Sequence, residues 1–133
     1  METLVTIERA IEIARQTPIS PTIESISITE SNNRILAENL HSKIDDPPFD
    51  NSAMDGWAVR FNDKHRTEIG MTAAGDTPTS IGQGEAVRIM TGAPIPEGAD
   101  AIVMVESGLQ GEAHPNFIRR RGENLTKGTV ALQ

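Results

Sequence analysis

Leu4, Ile7, Ile11 and Ala14 recur at helical spacing, with Glu8, Arg9, Glu12 and Arg15 between them. That pattern predicts an amphipathic helix over residues 4–16. Thr6 is its expected N-cap, Glu8 suits the positive end, and Thr17-Pro18 stops it. A helix this short is marginal in water by itself, so its apolar stripe must dock on something. Residues 23–29 alternate, with Ile26 and Ile28 on one face, and read as a strand. Residues 30–36 read as a helical turn in which Asn33 suits a left-handed position. After Trp57 the pattern is β: 68–73 alternates weakly, 86–90 is a strand, and 101–105 (AIVMV) is a fully buried one. Residues 108–111 read as a hairpin connection and 116–120 as its return strand. Glycines and prolines break the chain between these segments. The expected fold is mainly β with short helices, a bent sheet or small barrel behind an amphipathic N-terminal helix.

One stretch does not fit that alternation. Asp45-Asp46-Pro47-Pro48-Phe49-Asp50-Asn51-Ser52-Ala53-Met54-Asp55-Gly56-Trp57 is too polar for a core segment. Pro47-Pro48 holds the chain extended and lacks backbone donors. Asp55-Gly56 is a turn dipeptide, and Trp57, the single tryptophan, should anchor the segment on apolar surface. The stretch reads as a stiff arm displaying Asp50, Asn51, Ser52 and Asp55, or as a solvated linker. A calcium loop fails on spacing, because Gly56 comes one residue late after Asp50.

Composition narrows the classes. Aromatics are only 3% of the 133 residues, so the core must be aliphatic. A net charge of -7 argues against nucleic acid. The absence of cysteine removes disulfides, thiolate metal sites and thiol nucleophiles. No apolar run reaches the length of a membrane span, and a cytoplasmic protein is expected. His41, His65 and His114 read as surface residues, and Met54, Met71, Met90 and Met104 as core filler.

The run PPFDNSAMDGWAVR resembles the signature of the molybdopterin molybdenumtransferases, the family of bacterial MoeA and the E domain of gephyrin. RIMTGAPIPEGADAIVMVE and IRRRGENLTKG are similar to the family's second and third blocks, in the right order. The resemblance implies bent or bifurcated β sheets, with lobes over 1–45 and 46–128 and a return segment opening at 129–133. It also implies a downstream α/β domain and a homodimer. The N-terminal helix either closes a local core or, as the family suggests, packs against a later domain. The implied activity is insertion of molybdate into adenylylated molybdopterin, with Mg²⁺ and release of AMP. The isolated chain is expected to be inactive and to hold no cofactor. It reads as an excised or truncated N-terminal region; the alternative is a stand-alone β module that binds a phosphorylated pterin or nucleotide, or mediates association.

Residue by residue, Asp55 matches the family's active-site aspartate, and would organise phosphate, metal or water; otherwise it stabilises a turn. Thr91 matches the functional threonine of MTGAP, whose hydroxyl would donate to an oxyanion; otherwise it caps a strand end. Asp50 and Ser52 are further candidates in the same display. Arg119, Arg120 and Arg121 form the densest cationic cluster and suit phosphate recognition. At most two can share one face of a strand, and some of them are expected to pair with local carboxylates. Asn124 stands where the family usually has aspartate: the shape is kept and the charge is lost. The sequence assigns no metal ligand.

Overall fold

The computed structural model describes residues 4–133, in two compact units that divide between Ala37 and Glu38. The division falls ahead of the lobe boundary expected at 45, because Leu40–His41 belongs to the second unit through its pairing with Val130–Leu132.

In the first unit, helix α1 spans Ile7–Gln16. Thr6 is the N-cap: its hydroxyl accepts from the Arg9 N–H at 3.3 Å. Arg9 pairs with Glu12 at 2.7 Å. Among the described residues, none of α1 is buried. The strand expected over 23–29 does not form. That segment is irregular and ends in a 3-10 turn at Ile28–Glu30, capped by the Ser27 hydroxyl. Alternation alone cannot make a strand: its backbone groups need a ladder partner, and Ile28 is 87% exposed. The expected helical turn over 30–36 is limited to this 3-10 turn and the bends after it. Asn33 does take the left-handed conformation, at φ 63°.

The second unit is built of short strands: β1 (Leu40–His41), β2 (Asn51–Ser52), β3 (Gly56–Val59), β4 (Thr67–Thr72), β5 (Glu85–Ile89), β6 (Ala101–Met104), β7 (Ala113–His114), β8 (Ile118–Arg119) and β9 (Val130–Leu132). The main sheet has five strands in the order β4-β5-β3-β6-β7. Two strand pairs, β1-β9 and β2-β8, flank it in sequence. The sheets are open, each with free edges, and do not close into a barrel. Residues 116–120 are not the return strand beside β6. Pro115 begins a 3-10 turn there, so Ala113–His114 pairs with β6, and Ile118–Arg119 pairs with β2.

β3 is the centre, antiparallel to both β5 and β6. Its alternation divides the aliphatic core. Ala58 packs with Ile89, Ala93, Ile102 and Ile118. Val59 packs with Ala86, Ala101, Val103 and Ala113, and Trp57 covers that cluster. The methionines do not fill this core as expected: Met71 is 62% exposed on edge strand β4, and Met54 is also exposed. Gly56 of β3 lies tight against β6. A Cβ there would lie 1.9 Å from the Val103 carbonyl oxygen. Gly56→Ala should therefore destabilise the unit by about 3 kcal/mol or more, as overpacking against backbone that cannot yield. Urea unfolding should show a lower midpoint with an unchanged slope; an unaltered midpoint would refute the close approach.

Candidate functional site

Antiparallel pairing of β3 with β5 sets Gly56 opposite Ile89. It follows that the residue before β3 meets the loop after β5. The Asp55 Oδ1 accepts two hydrogen bonds from Thr91, one from its backbone N–H and one from its hydroxyl, each at 2.7 Å. The Asp55 carbonyl accepts from the Val105 N–H at 3.0 Å, which ties the same residue to the end of β6. The two residues singled out as catalytic candidates thus form one exposed corner at the end of the main sheet.

Thr91 is held by its own loop. Gly92 donates to the Ser52 carbonyl at 2.8 Å, and Ala93 to that of Met90 at 2.9 Å. Gly92 has φ 81°, while open space surrounds the position of a Cβ. Glycine is needed there for backbone conformation rather than for clearance. Thr91 spends its hydroxyl proton on Asp55, so its oxygen is left as an acceptor.

The Asp55 carboxyl lies below its ordinary range. The Thr91 N–H is the main cause, then the Thr91 hydroxyl, with the Arg88 charge adding to both. Arg88 faces Trp57 across the β3–β5 ladder, and its guanidinium lies 4.6 Å from the centre of the indole. Trp57 in turn donates from Nε1 to Glu68 Oε2 at 2.6 Å.

The other candidates are placed differently. Ser52 is 1% exposed on β2, and its hydroxyl donates to the Met54 carbonyl at 2.6 Å, inside a turn. Asp50 takes the Arg120 guanidinium at 2.6 Å and the Arg121 N–H at 2.8 Å. Burial pushes the Asp50 carboxyl up, but these two donors outweigh it and hold it low. Asp45 takes the Lys127 N–H at 2.7 Å and the Arg121 Nε at 2.6 Å, and is also held low. Asn124 donates from its amide to Asp46 Oδ2 at 3.0 Å. The acidic arm and the arginine loop are therefore a mutual strap. Two of the three arginines are occupied by carboxylates; the Arg119 side chain has no partner among the described residues.

Comparison with known proteins agrees with this architecture. The profile of the MoeA N-terminal region (domain I and II) matches residues 5–133. The chain belongs to the MoeA family. The molybdopterin molybdenumtransferase of Haemophilus influenzae is 40% identical, over 92% of this chain and 34% of that protein. The Synechococcus elongatus molybdopterin molybdenumtransferase is 37% identical, over 95% of this chain and 36% of that protein. The crystal structure of a molybdopterin biosynthesis MoeA protein from Pyrococcus horikoshii superposes with a TM-score of 0.72 at 34% identity, over 98% of this chain and 38% of that one. The chain thus spans about a third of the length of the MoeA relatives it matches. Among the described residues no helix is long and apolar enough to cross a membrane.

Sequence reasoning missed Arg88, Glu68, Asp45 and Asp46 as partners of the candidate residues. Asp55 and Trp57 are two residues apart in the chain, but the residue opposite Trp57 depends on register.

Two predictions follow from this geometry. A depressed carboxyl contributes stability above its unfolded pKa, near 4, and loses it as pH falls through the lower folded value. The Asp55 carbon resonance should accordingly titrate below the ordinary aspartate range, and Thr91→Val should move its midpoint upward; an unmoved midpoint would exclude the Thr91 bonds as the cause. For the strap, Asn124→Asp replaces an amide donor by a second carboxylate beside Asp46. It should lower thermal stability at neutral pH and raise the pKa of one member of the new pair. Full stability at pH 7 would show that the loop opens without cost.

Proposed function

We propose that this chain supplies the Asp55–Thr91 corner of an enzyme that inserts molybdate into adenylylated molybdopterin, with release of AMP. The observation that carries the proposal is the corner itself: two residues distant in sequence, both in family-matching blocks, bonded through Asp55 Oδ1 and exposed at a sheet end. Thr91 fixes the carboxylate's orientation and keeps it ionised. Asp55 Oδ2 makes no hydrogen bond among the described residues. An ionised oxygen so placed can accept a hydrogen bond from, and so orient, the water that cleaves a phosphoanhydride, or orient a cation that arrives with the substrate's phosphates.

Mg²⁺ suits that second role. It is commonly held by one or two carboxylates plus substrate phosphates, and Asp55 offers one free carboxylate oxygen. Bound there, the ion would neutralise charge on the phosphates. Among the described residues no group of three or more His, Cys, Asp or Glu side chains is arranged to hold an ion, which favours a cation shared with substrate. Arg119, with its guanidinium uncommitted, is a further contact for an anionic substrate; Arg120, Arg121, Asp50 and Asn124 hold the strap that presents it.

The rest of the enzyme is proposed to be an α/β domain beyond this chain, in a cytoplasmic homodimer. The exposed apolar stripe of α1 supports a packing partner outside the chain. In the full-length enzyme Asp55→Ala should reduce turnover by roughly 10²-fold or more, as for loss of a group that orients water or a metal. Turnover within a few-fold of wild type would refute the assignment. Mixing this variant with one disabled only in the α/β domain should restore part of the activity after subunit exchange. Verified exchange without recovery would show that Asp55 serves its own subunit.

A further inference from the structure

We infer that Arg88, laid against the indole of Trp57, is the cation that holds an oxyanion at the Asp55–Thr91 corner. The inference rests on the reading of that corner as a site for phosphate or molybdate chemistry. It starts from a difficulty in the corner. Asp55 is an anion, and the Thr91 hydroxyl already donates its hydrogen bond to Asp55. Both side chains present lone pairs outward, and an oxyanion approaching them is repelled unless a donor of positive charge stands close by.

Three of the six arginines of the second unit are already engaged, and Arg60 is exposed just past the end of β3. Arg120 is paired with Asp50 and Arg121 with Asp45. Arg66 is buried and donates to the carbonyls of Leu109 and Gly111. Arg119 lies on β8, outside the main sheet. Arg88 differs from all of these. Among the described residues its guanidinium makes no ion pair and no hydrogen bond, yet it is half-buried and fixed by stacking, 4.6 Å from the centre of the indole. Stacking occupies the face of a guanidinium and leaves its N–H edge free, the edge that matches two oxygens of a phosphate or molybdate.

The indole is itself immobilised. Trp57 packs on the Val59, Ala86 and Val103 cluster, and its Nε1 is held by Glu68. Register sets Arg88 opposite Trp57, and Asp55 and Thr91 lie just beyond the same end of this strand pair. The Arg88 charge reaches the Asp55 carboxyl and contributes to its lowered pKa. Glu68 thus holds Trp57, Trp57 holds Arg88, and the charge of this preorganised cation acts on Asp55.

The test is a titration of the ¹⁵N-labelled chain with inorganic phosphate, following the Arg88 Nε–H and the Thr91 amide by NMR. Both signals should shift together and saturate. Arg88→Gln should abolish the Thr91 response. Arg88→Lys keeps the charge and stem but not the fork, and should weaken binding about tenfold; it also covers the case in which the glutamine variant folds poorly. A wild-type chain with no saturable response, or an Arg88→Gln variant that responds like wild type, would overturn the inference. In the full-length enzyme, full turnover by Arg88→Gln beside a crippled Asp55→Ala would reject Arg88 and leave the proposed reaction intact. Phosphate binding at Arg88 in a full-length protein that inserts no molybdate would reject the reaction and leave the anion site standing.

Discussion

The antiparallel seam between β3 and β5 is the constraint on which the second unit depends. It aligns Gly56 with Ile89 and so brings Asp55 to Thr91. It also sets Trp57 against Arg88 and divides the aliphatic core into its two clusters. A one-residue slip would turn every side chain of β3 to the other face, separating the carboxylate from the threonine and burying Trp57 among the wrong partners. Gly56 protects the register, because the Val103 carbonyl leaves no room there for a side chain. Packing and site geometry are therefore consequences of one pairing.

Electrostatics divides the labour differently from what the density of charge suggests. The arginine triplet is the most basic segment of an acidic chain, yet Arg120 and Arg121 are tied to Asp50 and Asp45. Exposed ion pairs contribute little each. This strap is supported by backbone as well: the Asp46 N–H donates to the Leu125 carbonyl at 2.7 Å, and the Gly122 N–H to the Pro47 carbonyl at 2.9 Å. Pro47 and Pro48 lack donors, so the arm is held through the acids around them and through carbonyls. The strap fixes the approach to β2, whose Ser52 carbonyl anchors the Thr91 loop through Gly92. Two of the charges that look like a ligand clamp are bound to carboxylates of the arm.

The first unit follows a different logic. Its helix is well specified locally, with a side-chain cap, an acid in the first turn and an arginine in the last. None of this buries an apolar residue. Capping and dipole effects amount to about 1 kcal/mol apiece, too little to hold ten residues helical in water without packing. Its isoleucines, Ile7 and Ile11 among them, are exposed.

Local signals in the sequence determined a good deal: α1 and its Thr6 cap, the left-handed Asn33, the strands near 68–73, 86–90 and 101–105, and the anchoring of Trp57. Each depends on neighbours within a few residues, through periodicity, a cap or a turn. Two of the family-like blocks also singled out Asp55 and Thr91, which the fold brings into hydrogen bond. Tertiary structure decided what pairing decides. Residues 23–29 alternate without a partner and form no strand, whereas the two residues of β8 find one in β2 rather than β6. Ser52 and Asp55 stand three residues apart in one polar run, yet one hydroxyl is buried in a turn and the other carboxylate is exposed. The partners of the charged residues were equally hidden: Asp45 for Arg121, Asp46 for Asn124, Trp57 for Arg88. Hydrogen bonds and stacking reach only a few ångströms, and which groups come that close is fixed by register across strands far apart in the chain.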